Sequence, residues 1–166
     1  MPANEPDDLI VSSFLKRNDP REILISSKNI KFKNLKSKSV VGTSSFRREF
    51  RIKEMRSDLS CKLIRGNVDT RIKKLKDKNY DAIVLSAAGI ISLNLENEIT
   101  QTFAIDEFIP SAGQGIVALQ CRKDDTEIVS ILDKVNHRET YNCAIAERNV
   151  LKVLEGDCET AIGVHA

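Results

Sequence analysis

The chain has 166 residues, of which 41% are hydrophobic and 30% are charged, and its formal net charge is +2. This length is enough for one sizeable hydrophobic core or two small ones. The small net charge does not by itself indicate a nucleic-acid-binding protein, and no apolar run is long enough for a membrane span or a signal peptide.

The four cysteines, Cys61, Cys121, Cys143 and Cys158, include no Cys-x-x-Cys pair. This spacing gives little support to a zinc site or a redox dithiol, so no metal site is predicted. Free thiols in a reducing, cytoplasmic setting are the expected state. The first three lie in apolar segments and are typical of packed small hydrophobes, whereas Cys158 follows a predicted helix end and is expected to be accessible.

The first two thirds of the chain alternate strand-like and helix-like segments. In chain order we predict a strand at 9–15, a turn at 18–20, a short strand or helix start at 22–26, a strand at 39–42, a helix at 45–56, a strand at 61–64, a helix at 67–78 and a strand at 80–85. Strands that alternate with helices in this way predict βαβ units and a mixed, mostly parallel sheet.

The last third begins with a loop or hinge at 108–115 and continues with a strand at 116–121 and a helix at 124–135. Asn136 and Glu139 are spaced as in a capping box, which predicts that a long helix starts there and runs to about Leu154. Gly156 is the expected helix C-cap, and a last strand is predicted at 161–164.

Two short basic segments each follow a strand-like run and open a helix-like one: Gly-Thr-Ser-Ser-Phe-Arg-Arg at 42–48 and Arg-Gly-Asn-Val-Asp-Thr-Arg at 65–71. The stretch 42–76 contains eleven Lys or Arg residues against four Asp or Glu residues, a local charge of +7. Because free N–H groups at helix starts and arginines both bind anions, the segments predict a site for carboxylates or phosphates at the carboxyl edge of the sheet.

Each of these residues also has a purely structural interpretation. Ser44 or Ser45 could simply cap the following helix. Arg47 and Arg48 point to different sides of a helix, so one could serve a ligand and the other a structural carboxylate. Arg65 and Arg71, each taken alone, are typical of solvated surface arginines. The presence of two such loops on neighbouring strands favours the ligand site.

Seven segments, in order and at matching spacing, resemble the porphobilinogen deaminase (hydroxymethylbilane synthase) family. They are Val-Gly-Thr-Ser-Ser-Phe-Arg-Arg at 41–48, Ile-Arg-Gly-Asn at 64–67 with Thr-Arg at 70–71, Tyr-Asp-Ala-Ile at 80–83, Ala-Ala-Gly at 87–89, Gly-Gln-Gly at 113–115, Ala-Glu-Arg at 146–148 and Leu-Glu-Gly-Asp-Cys at 154–158. The resemblance covers nearly the whole chain.

The resemblance implies a transferase of haem and tetrapyrrole biosynthesis, which joins four porphobilinogen molecules with release of ammonia on a dipyrromethane primer. By resemblance, Cys158 carries this cofactor as a thioether, and the arginines hold its acetate and propionate groups. The implied cofactor-binding residues are Cys158, Thr43, Ser44, Ser45, Arg47, Arg48, Arg65, Gly66, Arg71, Ala87 and Gln114.

The implied fold is α/β, with a type II periplasmic-binding-protein-like domain and the start of a small α+β third domain. Residues 1–17 would be a remnant of domain one, 20–110 the central cofactor- and substrate-binding domain, 111–135 the return to domain one and 137–166 the start of domain three. The family implies a monomer at full length, without nucleic-acid or membrane partners. Unpaired strand edges would favour self-association of this shorter chain.

The chain also departs from the family pattern. The family's catalytic aspartate lies in a His-Ser-x-Lys-Asp segment that these residues do not contain, so no catalytic residue is predicted and the chain alone is expected to be inactive. Ile91 and Ser92 stand where a basic residue is common, and Asp157 and Ala161 replace a usual Gly and Pro.

Two other classes of function remain open. The first is a non-catalytic domain of periplasmic-binding type that binds an anionic metabolite. The second is nucleic-acid binding through the basic stretch, for which the sequence offers few interleaved aromatic residues. A covalent pyrrole on Cys158 would separate the deaminase from both.

Overall fold

The computed structural model describes residues 6–156 and 160–166. It contains seven strands: β1 Leu9–Phe14, β2 Glu22–Ser26, β3 Val40–Gly42, β4 Ser60–Lys62, β5 Ala82–Ser86, β6 Gln101–Thr102 and β7 Ala118–Arg122. The α-helices are α1 Phe46–Met55, α2 Val68–Lys76, α3 Ala87–Ile91, α4 Thr126–Asp133 and α5 Arg138–Val153. Short 3-10 helices lie at Phe32–Asn34 and Glu96–Glu98.

A five-stranded mixed sheet with the order β4-β3-β5-β2-β6 forms the centre of the structure. Strand β3 runs parallel to β4 and β5, as the βαβ pattern predicts. Strand β2 runs antiparallel to both β5 and β6 and pairs Glu22 with Ser86. This direction brings the first residue of β2 to the edge at which β5 ends. The mixed α/β fold class is thereby confirmed, but the five-stranded sheet has two parallel pairings, among β3, β4 and β5, and two antiparallel ones, so it is not mostly parallel as predicted.

Both faces of this sheet are covered, because side chains alternate along each strand. On one face, Ile23 and Ile25 of β2 pack with Ile72 and Leu75 of α2. On the other face, Leu24 joins a cluster that includes Phe32, Leu35, Ile52, Phe103 and Phe108. Helices on opposite faces explain why β2 and most of β5 are buried throughout.

A second, two-stranded sheet joins β1 and β7 in antiparallel fashion. Two chain segments connect it to the larger sheet and run side by side. The Leu15 N–H donates to the Val117 carbonyl over 3.0 Å, and the Asn18 N–H donates to the Gly115 carbonyl over 2.8 Å. Helices α4 and α5 pack on this smaller sheet. Within the described ranges, no helix is both long and apolar enough to cross a membrane.

The predicted cap of α5 was wrong by one residue. His137 is the N-cap, and its Nδ1 accepts the Thr140 N–H over 3.3 Å. Asn136 is engaged elsewhere, because its Oδ1 accepts the N–H of Phe14 on β1 over 3.0 Å. A contact between residues 122 positions apart therefore overrides the local capping pattern.

The predicted C-terminal features also differ. Leu154, and not Gly156, is the C-cap of α5. The left-handed conformation that commonly follows a helix end is taken by Glu155, with φ 51°. Gly156 instead permits close packing, since an added Cβ would lie 2.5 Å from Ile162 Cδ1. Residues 161–164 form no strand, although the Val164 N–H donates to the Pro110 carbonyl over 2.9 Å.

Candidate functional site

A cleft of about 500 Å³ opens where β4 and β5 end and α2 begins. Its lining consists of Arg48, Gly66, Asn67, Val68, Asp69, Arg71, Leu85, Ser86 and Leu93. Both basic segments identified in the sequence contribute to it. The cleft therefore lies at the carboxyl edge of the parallel strands, where open α/β sheets bind ligands.

Arg48 reaches this cleft from the first turn of α1. Its Nη2 lies 2.9 Å from Glu22 Oε2 and 3.5 Å from Gln114 Oε1, and its Nη1 lies 3.5 Å from the Val84 carbonyl. The approach to Glu22 Oε2 satisfies the distance of an ion pair but lacks the angles of a hydrogen bond. The Nε of Arg48 is buried and has no hydrogen-bond partner among the described residues. A buried, unpaired donor on a cation is a feature that a bound carboxylate would satisfy.

Arg71 lies in the same cleft on α2. Its Nε donates to the Gly66 carbonyl over 2.7 Å, which directs the side chain back toward the loop before the helix. Burial, followed by the nearby positive charge of Arg48, lowers the pKa of the Arg71 guanidinium. Two arginines whose charges disfavour each other would both be stabilised by an anion placed between them. Asp69, exposed at the rim, adds one negative charge to the lining.

Arg47 occupies a different place from its neighbour. Its Nη2 donates to Glu22 Oε1 over 2.5 Å and its Nη1 donates to the Ile109 carbonyl over 2.6 Å. Burial lowers the pKa of Arg47, and the adjacent Glu22 carboxylate opposes that shift. Arg47 therefore lies beneath the cleft, outside its described lining, while Arg48 faces it.

Glu22 is a buried residue beside the cleft that the sequence analysis did not single out. It is fully buried at the start of β2 and contacts both arginines. The sequence did contain a signal, because Glu22 directly precedes the apolar run Ile-Leu-Ile of a strand. Acidic residues are almost never fully buried without a partner, so this position predicts a nearby cation.

The hydroxyl residues of the first basic segment mainly organise the backbone. Thr43 is buried and its Oγ1 accepts the Ser45 N–H over 3.2 Å. Ser45 is the N-cap of α1, and its Oγ accepts the Arg48 N–H over 3.4 Å. The capping alternative therefore describes Ser45, and Ser44 is exposed beside it.

Three further predicted site residues lie outside the described lining of the cleft. Arg65 is exposed, and its carbonyl accepts the Lys74 ammonium over 2.8 Å. Ala87 is buried in the core. Gln114 is half-buried and donates from Nε2 to the Pro20 carbonyl over 2.6 Å while its Oε1 faces Arg48. Gln114 thus connects the loop at 109–117 to the arginine of the cleft.

The predicted anchor, Cys158, lies outside the described residues. Cys61, Cys121 and Cys143 are half-buried free thiols. Burial raises the pKa of Cys61, so this thiol is poorly disposed to act as a nucleophile.

Glu147 is a second fully buried acid, on α5. It accepts hydrogen bonds from Arg17 Nη1 over 2.6 Å, from the Gly113 N–H over 2.6 Å and from the Ala166 N–H over 2.9 Å. The Arg17 Nε also donates to the Gln114 carbonyl over 3.0 Å. These contacts fix α5, the helix that precedes Cys158 in the sequence, against the loop that carries Gln114.

Gly66 allows the close approach of this loop to α2. Its φ is +120°, and an added Cβ would lie 2.9 Å from Thr70 Cβ. We expect Gly66→Ala to lower the free energy of unfolding by about 1 kcal/mol more than Gly113→Ala. Gly113 is the matched control, because its φ is also positive (+71°) but an added Cβ meets nothing within 4 Å. Urea denaturation measures the free energy of unfolding of both variants. Equal losses of stability would contradict the idea that the close approach to Thr70 requires glycine at position 66.

Comparisons with known proteins identify the family of the chain. Residues 1–130 match the family described as porphobilinogen deaminase, dipyromethane cofactor binding domain. The chain is 45% identical over 166 residues to a porphobilinogen deaminase of Coxiella burnetii, covering 100% of this chain and 53% of that protein. It is 39% identical over 165 residues to that of Alkaliphilus metalliredigens, covering 99% of this chain and 52% of that protein.

The chain thus spans about half the length of these curated relatives. Among solved structures, it resembles a Bacillus subtilis lipoprotein assigned as methionine-binding, with a TM-score of 0.50 and 11% identity over 81% of this chain and 64% of that one. This likeness concerns the fold alone and agrees with the type II periplasmic-binding-protein-like architecture. From the match over residues 1–130 and the identities over its whole length, the chain belongs to the porphobilinogen deaminase family and includes the domain of that family that binds the dipyrromethane cofactor.

Proposed function

We propose that this chain is the part of a hydroxymethylbilane synthase that holds the dipyrromethane primer in the cleft between α1 and α2. The observation that carries the proposal is the buried Nε of Arg48, which has no hydrogen-bond partner within residues 6–156 and 160–166 and lies beside Arg71 in a cleft of about 500 Å³. Small-molecule sites commonly have volumes of roughly 300–1,000 Å³. In the full enzyme the bound primer supplies the pyrrole end to which porphobilinogen units are added.

The chemistry of the donor set fits such a group. Each pyrrole of the primer carries two carboxylates, and guanidinium groups bind carboxylates through paired, charge-assisted hydrogen bonds. Arg48 and Arg71 would each hold a carboxylate, and the N-terminal turn of α2 would add backbone donors at Asn67 and Val68. Burial, followed by the positive charge of Arg48, lowers the pKa of Arg71, and an anion placed there would oppose this shift.

The remaining predicted residues support this site in different ways. Thr43 and Ser45 order the turn that begins α1, and Gln114 restrains Arg48 from the opposite segment. Ser44 and Arg65 are exposed and available to ligand groups at the rim. Ala87 contributes through its backbone, since its N–H donates to the Arg21 carbonyl over 2.9 Å and holds the end of β5.

We further propose that Cys158 carries the primer as a thioether. No aspartate in a His-Ser-x-Lys-Asp segment occurs in these residues. The 166-residue polypeptide by itself is therefore expected to hold pyrroles without catalysing rounds of porphobilinogen addition.

The test is intact-mass measurement of the chain purified from a host that makes porphobilinogen, together with an Ehrlich colour reaction. We expect an adduct on the wild type in which the Cys158 sulfur has displaced ammonia from porphobilinogen, the loss of this adduct in Cys158→Ser and its retention in Cys143→Ser, the matched control with a half-buried thiol. An adduct that persists in Cys158→Ser would contradict the attachment site. Steady porphobilinogen consumption by the chain alone would contradict the expected inactivity.

A reversible binding domain for an anionic metabolite is the second candidate. It is favoured by the same observation, because the paired arginines of the cleft would hold a free dicarboxylate as well as an attached one. The absence of any covalent adduct, combined with saturable binding of free porphobilinogen or another dicarboxylate, would favour this alternative.

A further inference from the structure

The carboxylate of Glu22 lies between two guanidinium groups beneath the cleft. It is fully buried, whereas the side chains of Arg47 and Arg48 retain 8% and 12% of their exposure. Strand β2 runs antiparallel to β5, which places Glu22 opposite Ser86, a lining residue of the cleft. Glu22 is therefore next to the proposed ligand site without being part of its described lining.

The two arginines are held unequally. Arg47 makes a hydrogen bond to Glu22 Oε1 at 2.5 Å and a second one to the Ile109 carbonyl at 2.6 Å. Arg48 approaches Glu22 Oε2 at 2.9 Å without hydrogen-bond alignment, and its other two contacts are both 3.5 Å long. Glu22 thus binds Arg47 firmly and holds Arg48 mainly by charge.

This inequality has a physical consequence. A buried carboxylate is costly unless a cation pairs with it closely, and Arg47 provides that partner through its hydrogen bond to Oε1. The second oxygen then attracts Arg48 without saturating its donors. The Nε of Arg48, which no group in the described part of the chain occupies, can then bind a carboxylate from the cleft.

We propose that Glu22 is a positioning residue, which orients Arg48 toward a ligand carboxylate, and that Arg47 acts through Glu22 as its fixed counter-ion. The proposal rests on the proposed function of the cleft. It assigns different tasks to adjacent arginines of the first basic segment: Arg48 contacts the ligand, and Arg47 supports the residue that aims it.

The test separates positioning from simple charge balance. In the double variant Glu22→Gln/Arg47→Gln, one negative and one positive charge are removed together, so the net charge of the cluster is unchanged. If Glu22 only balances charge, this variant should behave like the wild type. If Glu22 positions Arg48, the variant should fold but lose the order of the Arg48 side chain. Glu54→Gln is the control, because it disrupts an exposed ion pair with Arg51 on the same helix.

The first readout needs no ligand. In protein labelled with ¹⁵N-arginine, the Arg48 Nε–Hε resonance, identified by its loss in Arg48→Lys, should be ordered in the wild type and in Glu54→Gln. It should become motionally averaged in the double variant. Glu22→Asp has a shorter side chain that cannot reach both arginines equally, so its Arg48 Nε–Hε resonance should be partly averaged, between the wild type and the double variant. This variant replaces the double variant in the test if the double variant does not fold. An unchanged resonance in these Glu22 variants would overturn the proposal.

The second readout is porphobilinogen affinity by calorimetry in about 1 M salt, where the Debye length is only about 3 Å and net charge contributes little. We expect the double variant to bind about tenfold more weakly than the wild type, and equal affinity would overturn the proposal. If the wild type itself fails to bind porphobilinogen while the Arg48 resonance behaves as expected, the proposed function fails but the positioning of Arg48 by Glu22 stands.

Discussion

Replacing Glu147 with glutamine is expected to lower the free energy of unfolding by about 3–5 kcal/mol, the usual cost of breaking a buried ion pair by removing one partner. Among the described residues, the groups that hydrogen-bond this carboxylate are the Arg17 guanidinium and the N–H groups of Gly113 and Ala166, all of them donors, and His165 Nδ1 lies 3.5 Å from its Oε1. A glutamine side chain has a single acceptor oxygen, and its amide N–H₂ would face these donors. Urea denaturation at neutral pH measures the loss.

The matched control for this change is Glu139→Gln, on the exposed first turn of the same helix. Its loss should stay below about 1 kcal/mol, as for most surface substitutions and first-turn acids. Similar losses for the two variants would show that the Glu147 network contributes little. Because Arg17 also donates to the Gln114 carbonyl, Glu147→Gln should additionally loosen the 109–117 loop, which hydrogen exchange can detect.

Arg48→Met is expected to weaken porphobilinogen binding by about 10- to 100-fold. Hydrogen bonds to charged groups contribute roughly 1.5–3 kcal/mol, and each 1.4 kcal/mol corresponds to about a factor of ten in affinity. Methionine keeps much of the apolar stem of the side chain but removes the cation and the free Nε. Calorimetric titration with porphobilinogen measures the effect.

Arg51→Met is the control for Arg48→Met, since Arg51 is on the same helix and pairs with Glu54 and the Glu107 carbonyl. It changes the net charge equally but leaves the cleft intact, so binding should weaken by less than about threefold at moderate salt. Equal losses in the two variants would mean that the basic stretch acts through its total charge, and would contradict a specific site at Arg48.

The local sequence patterns predicted the central α/β unit closely. The apolar spacing placed α1 at 45–56 and α2 at 67–78, and the structure has them at Phe46–Met55 and Val68–Lys76. Both patterns depend on neighbours three or four positions apart, which are fixed by the helix itself. The two basic segments also lie at one sheet edge as predicted, because parallel strands end on the same side.

The local sequence patterns were less informative for residues whose hydrogen-bond partner lies far away in the chain. The capping-box prediction at Asn136 was wrong because Phe14 of β1 takes its side-chain oxygen. The strand predicted at 161–164 was not found, since that segment packs against the Pro110 region, where the Val164 N–H donates to the Pro110 carbonyl without forming a strand ladder. In both cases a tertiary contact replaced the locally preferred arrangement.

The amino-acid sequence by itself determined the family, the alternation of strands and helices, and the concentration of arginines and small residues at one edge of the sheet. These features depend on residue type and short-range spacing. Only the tertiary structure decided which arginine faces the cleft. Arg47 and Arg48 are adjacent in the chain, and their roles differ because the antiparallel strand β2 brings the buried Glu22 carboxylate between them from 25 residues away. A buried charge needs a partner of opposite charge, and the fold brings that partner from a distant part of the chain. Short-range sequence patterns therefore do not predict which residue the partner is.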